Sequence, residues 1–169
     1  KVLLHLADGF EEIEALSTLD ILRRADIDTT TVSIMGRIEV KSSRGVIIQA
    51  DKVFSDINYQ EFDMIILPGG PGTRLLDQHE ELKSHLKNYD AEGKWIAALC
   101  AAPSVLGKLN LLNGKNAVCY PGYENDLLGA KVSLNDRGDN ATGWGIAQRL
   151  NTWARTGDGN HAYKIIDSF

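Results

Sequence analysis

The fold is decided by the stretch Lys94-Trp-Ile-Ala-Ala-Leu-Cys100-Ala-Ala-Pro-Ser-Val-Leu-Gly107, which predicts a buried strand that runs straight into a helix. A strand-to-helix turn this sharp holds its corner residue above the sheet in a strained backbone conformation. Only small neighbours fit such a turn, and here they are Ala98, Ala101 and Ala102. The stretch therefore predicts a nucleophile elbow with Cys100 at its corner.

The Cys100 thiol has two interpretations from these residues alone. A thiol at a helix N-terminus faces unpaired N–H groups and the positive end of the helix dipole, which lower the cysteine pKa and favour the thiolate. A buried structural cysteine is the other interpretation, because free cysteines are often core residues. The stretch itself leaves both open.

Composition predicts one globular domain that spans residues 1–169. Apolar residues make up 43% and charged residues 24% of the chain, as in ordinary globular proteins. A net charge of −5 without a basic stripe argues against nucleic acid as a partner. No apolar run reaches membrane-spanning length, and two cysteines indicate reduced thiols, so we expect a cytoplasmic protein without a membrane partner.

Short apolar strands alternate with helical patterns along the chain. Strands are predicted at residues 2–7, 30–34, 62–67, 94–99, 117–120 and 131–134. Helices are predicted at residues 11–25, after Cys100, in one segment that carries Leu75, Leu82, Leu86 and Tyr89, and late in the chain at Ile146, Leu150 and Trp153. Residues 38–41 and 46–49 flank Ser-Ser-Arg-Gly and predict a hairpin. Continuous apolar strands between helices predict an α/β, doubly wound, mostly parallel sheet with helices on both faces.

In such sheets, ligands bind at the carboxyl ends of the strands. Three chemically loaded segments are predicted there: residues 8–14, residues 67–73 and Cys100. Gly69 and Gly70 let backbone N–H groups approach a ligand closely, which suits an oxyanion hole. Taken singly, these glycines fit a tight turn, and Glu11, Glu12 and Glu14 fit a solvated first helical turn. Their convergence on one sheet edge favours a functional site.

The chain resembles the DJ-1/ThiJ/PfpI superfamily over roughly residues 1–135. The motifs that carry the resemblance are LADGFEEIE at 6–14, RRA at 23–25, SRG at 43–45, LPGG at 67–70, LCAAP at 99–103 and CYPG at 119–122. It is similar to the ThiJ-like branch and not to the PfpI protease branch, because Ala101 stands where the proteases have histidine. The resemblance implies a flavodoxin-like domain that pairs as a homodimer.

The resemblance also implies roles for individual residues. Cys100 would be the reactive cysteine, and Glu14 would lie beside its sulfur as a protonated carboxylic acid that donates a hydrogen bond. Gly69, Gly70 and Ala101 would supply backbone donors. A separate pair, Arg24 and Arg44, would form a small anion site near the dimer seam.

The chain departs from the family pattern at two places. Tyr120 stands where many catalytically studied relatives have histidine, and a tyrosine can donate a proton or hold a water but is a poor general base near neutral pH. We therefore expect Tyr120 in the catalytic set without a Cys–His pair. The Ser-Arg-Gly-Pro-Gly-Thr turn of relatives is missing after about residue 136, so family residues there are not carried over.

The remaining cysteine and the histidines lie outside these motifs. Cys119 is open to three interpretations: a resolving thiol, a metal co-ligand or a structural strand residue. Two cysteines without nearby histidines make a poor zinc set, so we expect no metal. We expect His5 in the core, and His79 and His85 facing solvent.

Helix 11–25 predicts self-association. It carries Ile13, Leu16, Leu19 and Leu22 at a spacing of three, with Ile21 on another side. This apolar arc is too wide for one packed face, which predicts that part of it meets a second subunit.

Two hypotheses for function follow. In the first, the Cys100 thiolate adds to a small aldehyde or dicarbonyl such as methylglyoxal, or to its protein adducts, in glyoxalase III-like or deglycase-like chemistry that needs no cofactor. In the second, the protein is a non-enzymatic oxidative-stress sensor or redox-regulated chaperone in which Cys100 oxidises to sulfinate. Tyr120 favours the second hypothesis, and the set Glu14, Gly70 and Cys100 favours the first.

Overall fold

The computed structural model describes residues 1–127 and 131–132. Its strands are β1 (Val2–Leu6), β2 (Thr29–Ser33), β3 (Glu39–Lys41), β4 (Ile47–Gln49), β5 (Lys52–Val53), β6 (Met64–Leu67), β7 (Trp95–Ala98), β8 (Asn116–Ala117) and β9 (Lys131–Val132). Its helices are α1 (Glu12–Arg24), α2 (Thr73–Gln78), α3 (Glu80–Ala91) and α4 (Pro103–Lys108). Short 3-10 turns lie at Phe54–Asp56, Tyr59–Glu61 and Glu124–Asp126. None of the helices in these two ranges is long and apolar enough to cross a membrane.

Five parallel strands form the central sheet in the order β5-β2-β1-β6-β7. Side chains on one face of β1 and β6 pack against α2, α3 and α4, and those on the other face pack against α1. Strands β3 and β4 pair separately as an antiparallel hairpin, with Val40 opposite Ile48. The predicted doubly wound α/β fold and its hairpin are confirmed.

Two predicted elements differ from the structure. The single helix predicted after residue 73 is two helices, because His79 has an extended backbone and its ring nitrogen accepts the Leu82 N–H at 3.2 Å, which caps α3. The strand predicted at 117–120 ends at Ala117, so Cys119 and Tyr120 lie in the following loop. The predicted helix around residues 146–153 falls outside the described residues.

Three histidines gather around two aromatic rings under α3. His5 is completely buried in β1, and its Nε2 lies 2.8 Å from the Tyr59 hydroxyl. His85 stacks on Tyr59 with ring centroids 3.6 Å apart, and His79 packs on Phe54 at 4.2 Å. The core position predicted for His5 is confirmed. His79 and His85, which were predicted to face solvent, are partly buried, because the turns after β5 bring both aromatic rings beneath α3.

Helix α1 leaves much of its apolar surface outside the core. It packs on the sheet through Ala15, with Leu19 and Leu22 partly buried. Ile13 and Ile21 are 71% and 65% exposed on its outer side. The homodimer stays a prediction, and this outer face is the surface on which it rests.

Candidate active site

Cys100 occupies the corner between β7 and α4. Its φ is +56°, a left-handed conformation that is costly for a residue with a side chain. Leu99 N–H donates to the Leu67 carbonyl at 3.0 Å, and Tyr120 N–H donates to the Cys100 carbonyl at 2.6 Å. These bonds fix the peptide groups on both sides of the corner. The strained elbow predicted from the sequence is present.

The glycine-rich loop after β6 lies backbone to backbone against the loop after β1. Glu11 N–H donates to the Gly69 carbonyl at 3.0 Å, and Gly72 N–H donates to the Gly9 carbonyl at 2.9 Å. Gly70 has a φ of +88°, and a Cβ there would lie 2.7 Å from both the Glu11 nitrogen and the Gly9 oxygen. A side chain at Gly70 would therefore separate the two loops that build the site.

Gly69 sits between the cysteine and the glutamate. A Cβ at Gly69 would lie 2.7 Å from Cys100 Cβ, 2.7 Å from Glu14 Oε2 and 3.0 Å from Ala101 N. Its N–H donates to Glu14 Oε2 at 2.8 Å. This N–H is therefore engaged with the carboxylate. Gly69 orients Glu14 and is not a free oxyanion donor, which differs from the role predicted for it.

The environment of the Cys100 sulfur favours the thiol over the thiolate. Burial raises the pKa of Cys100 to about 12, and the hydrogen bond and negative charge of Glu14 act in the same direction. The backbone N–H groups of Ala101 and Gly70 contact the sulfur and lower the pKa by less. The lowered pKa predicted for Cys100 from the helix N-terminus is wrong, because burial and Glu14 outweigh the backbone N–H groups of Ala101 and Gly70.

Cys100 and Glu14 face each other across Gly69, so a proton can pass between the two side chains. A proton that leaves the sulfur for Glu14 removes the negative charge that opposed the thiolate and creates a donor in place of an acceptor. The same transfer leaves the N–H groups of Gly70 and Ala101 facing an anion. The arrangement can thus generate a thiolate by proton transfer within the site.

The acidic run at the start of α1 is not a solvated turn. Glu11 caps α1 by accepting the Glu14 N–H at 2.9 Å. The Glu12 carboxylate accepts hydrogen bonds from Ser42 Oγ, Ser43 Oγ and Arg44 N, and the bond from Ser42 contributes most to lowering its pKa to about 2. Glu12 thus fastens the hairpin turn to α1, beside Glu14.

The two arginines of the predicted anion site lie apart within one chain. Arg44 is exposed, and its backbone is bound at the N-terminus of α1. Arg24 ends α1 and pairs with Asp20 at 2.8 Å. The 13 residues of α1 separate the two positions by about 18 Å. Only a second copy of the chain could bring the two side chains together, so the anion site stays a prediction.

The loop at 118–123 borders the elbow. The Tyr120 side chain is 39% exposed, and its ring lies edge-on to Tyr123 with centroids 6.4 Å apart. Cys119 is partly buried against the core, and the turn that follows it is closed by the Tyr123 N–H, which donates to the Tyr120 carbonyl at 3.2 Å. Burial raises the pKa of Cys119 to about 11. The hydrogen bond from the Tyr120 N–H to the Cys100 carbonyl was not predicted, because the partner of a backbone N–H in a loop does not depend on the identity of the residue.

Comparison with known proteins identifies a family whose sequence profile this chain matches. The sequence profile of the DJ-1/PfpI family matches residues 1–150. DJ-1 homolog B of Arabidopsis thaliana is 37% identical over 139 residues, which are 81% of this chain and 32% of that protein. A deglycase of Pyrococcus abyssi is 28% identical over 80% of this chain and 81% of its own length. The solved structure of oxidized DJ-1 from Toxoplasma gondii has a TM-score of 0.73 at 32% identity, and the match covers 99% of this chain and 96% of that one. The chain spans about a third of the length of the two Arabidopsis relatives that it matches.

Proposed function

This chain belongs to the DJ-1/PfpI family, and from that premise we propose that it acts on reactive dicarbonyls with Cys100 as the nucleophile. The observation that supports the proposal best is the contact set around Gly69, where Cys100 and Glu14 meet across a residue without a side chain. The name deglycase, which belongs to the Pyrococcus abyssi relative, supports the same class of substrate.

The first step is addition of the sulfur to an aldehyde carbon. Glu14 in its carboxylate form accepts the thiol proton as the S–C bond forms, and the carbonyl oxygen becomes an alkoxide. The N–H groups of Gly70 and Ala101, which contact the sulfur, are positioned to stabilise this oxygen on the adjacent carbon. Glu14 then returns the proton to the alkoxide, which gives a hemithioacetal and restores the carboxylate.

The second step is rearrangement and release. For methylglyoxal, Glu14 moves a proton from the former aldehyde carbon to the ketone carbon, and the hydroxyl proton passes from the first oxygen to the second. The first carbon is thereby oxidised and the second is reduced. This gives a lactoyl thioester, and water then displaces the sulfur to release lactate and restore the thiol. The chemistry balances without an external oxidant or reductant.

Lactate formation from methylglyoxal tests this function. Wild type and Cys119→Ala should both form lactate, and Cys100→Ala should form none. Equal activity in Cys100→Ala would exclude Cys100 as the nucleophile, and no activity in wild type would exclude methylglyoxal turnover.

A second candidate is a sensor of oxidative stress that works through oxidation of Cys100. Tyr120 supports it, because a tyrosine does not provide the general base that hydrolysis of a thioester would use. The Toxoplasma gondii relative is described as oxidized, which supports the same idea. This candidate would be favoured if peroxide modifies Cys100 in a protein that forms no lactate from methylglyoxal.

We also propose that the functional form is a homodimer built on α1. The exposed side chains of Ile13 and Ile21 supply apolar surface, and Ile47 of the neighbouring hairpin is 64% exposed. In a two-fold dimer the same patch is buried on both subunits, so each of these side chains contributes once from each copy.

A further inference from the structure

A single backbone hydrogen bond holds the two cysteines of the chain next to each other. Tyr120 N–H, which follows Cys119 directly, donates to the Cys100 carbonyl oxygen at 2.6 Å. The Cys100 Cα lies about 2.4 Å from its own carbonyl oxygen, and the Cys119 Cα lies about 2.4 Å from the Tyr120 nitrogen. With the hydrogen bond between that oxygen and that nitrogen, the two Cα atoms are separated by no more than about 7.4 Å. Disulfides form at Cα separations of roughly 4.4–6.8 Å. Full alignment of these atoms would leave the Cα separation about 0.6 Å above this range, and the bent geometry of a backbone hydrogen bond brings the two Cα atoms closer than that bound.

The sulfurs of Cys100 and Cys119 lie in different surroundings. Hydrogen bonding from the backbone N–H groups of Ala101 and Gly70 lowers the pKa of the Cys100 thiol, whereas the Cys119 side chain is partly buried against the core, beside a turn closed by the Tyr123 N–H donating to the Tyr120 carbonyl at 3.2 Å. Bridging therefore requires the turn over Cys119 to open and release its side chain. That turn belongs to neither a helix nor a strand, and Gly122 within it has a φ of +96°. The elbow, in contrast, is flanked directly by β7 and α4.

We propose that Cys119 is the resolving thiol of Cys100, so that oxidation of the elbow ends in a Cys100–Cys119 disulfide. This inference rests on the reactivity proposed for Cys100. A hydroperoxide transfers one oxygen to the Cys100 sulfur and leaves as an alcohol or water, which gives a sulfenic acid. The Cys119 sulfur then attacks this sulfur, the S–O bond breaks, and the hydroxide that leaves takes up the Cys119 proton to form water. Overall, two thiols are oxidised to one disulfide and the peroxide is reduced.

Proximity favours this route over the sulfinate predicted from the sequence. A sulfinate requires a second peroxide molecule to collide with the sulfenic acid. Attack by Cys119 is intramolecular, and its rate does not depend on peroxide concentration. The disulfide would remove the nucleophile and be reversed by an ordinary thiol reductant, whereas sulfinate would not. Cys119 would thus make inactivation of the site reversible.

Intact-protein mass spectrometry after treatment with one equivalent of hydrogen peroxide tests the proposal. Wild type should become two hydrogens lighter, and a peptide map without reductant should join the peptides of Cys100 and Cys119. Cys119→Ser should instead gain one or two oxygens on Cys100. Val118→Ala is the control for changing the loop, because it keeps both thiols and should still form the disulfide.

The outcomes separate this inference from the proposed function. Oxygen added to Cys100 at equal rates in wild type and Cys119→Ser would overturn the resolving role and leave Cys100 reactive. A disulfide between two molecules would also overturn it. Modification of neither cysteine would overturn both the resolving role and the reactivity proposed for Cys100. After excess peroxide, dithiothreitol should restore alkylation of Cys100 in wild type. It should not restore alkylation in Cys119→Ser, where Cys100 carries added oxygen.

Discussion

Gly69 and Glu14 are joined by a hydrogen bond of 2.8 Å from the glycine N–H to the carboxylate, and this bond ties α1 to the loop after β6. It leaves the second carboxylate oxygen available to the Cys100 sulfur, whose pKa is raised by the Glu14 hydrogen bond and charge. The thiol and the carboxyl of the site therefore come from two different parts of the fold, the elbow between β7 and α4 and the helix α1. Four predictions follow from the geometry of this site, from the buried His5 and from the exposed face of α1.

Glu14→Gln should abolish most turnover and preserve the fold. The amide oxygen can still accept the Gly69 N–H, but the amide cannot take a proton from the sulfur. We expect lactate formation to fall by about 100-fold or more, as for the loss of a general base. Glu11→Gln is the matched control, because Glu11 caps α1 and has no role at the sulfur. Equal rates in Glu14→Gln and wild type would make Glu14 structural only.

Gly69→Ala should disrupt the site more than the fold. Its new Cβ would lie 2.7 Å from both Cys100 Cβ and Glu14 Oε2, so the two groups must move apart. We expect a loss of about 1–3 kcal/mol in unfolding free energy and a large loss of turnover. Gly114→Ala is the control: its Cβ meets nothing within 4 Å, although its φ is +69°. Turnover preserved in Gly69→Ala would contradict the packing described for the site.

His5 should make the protein less stable as the pH falls below about 6.5. Burial lowers the pKa of His5 to about 3, with smaller contributions from His79 and His85. Between pH 6.5 and 3 the unfolded chain binds a proton that the folded chain does not, so the free energy of unfolding decreases as pH decreases. The slope is about 1.4 kcal/mol per pH unit for this one group. Urea unfolding at pH 7.5, 6 and 5 should show a shallower dependence for His5→Gln than for wild type, and parallel curves would refute the assignment.

Ile13→Glu should dissociate the proposed homodimer. The side chain is 71% exposed in the single chain, and a two-fold interface would place both copies of the new charge in it. We expect the dimer dissociation constant to rise at least about 100-fold, from the loss of apolar burial in both subunits. Ser84→Glu on α3 adds the same charge outside the predicted interface and should leave the sedimentation coefficient unchanged. A wild-type protein that is monomeric at micromolar concentration would contradict the dimer itself.

The sequence predicted well wherever local chemistry and geometry coincide. Small residues around Cys100 permit only a sharp elbow, and the observed φ of +56° agrees. The alternation of apolar strands and helices likewise predicted the parallel sheet. These features depend on neighbours along the chain, which a sequence displays directly.

What the sequence did not predict depends on neighbours in space. The break at His79 arises because an imidazole nitrogen can cap a helix, and histidine is not among the usual capping residues. The pKa of Cys100 depends on how deeply the sulfur is buried and on the charge of Glu14, which lies far from it in sequence. The histidine cluster likewise required knowing that Phe54 and Tyr59 pass beneath α3.

The bond between Tyr120 N–H and the Cys100 carbonyl has a consequence for how this site can evolve. The loop is bonded to the elbow through the backbone N–H of residue 120, a group that every amino acid except proline has. Substitution at position 120 can therefore change what faces a substrate without moving the nucleophile. A lineage could exchange histidine for tyrosine there, and so trade one chemistry for another, while the architecture of the elbow is inherited intact.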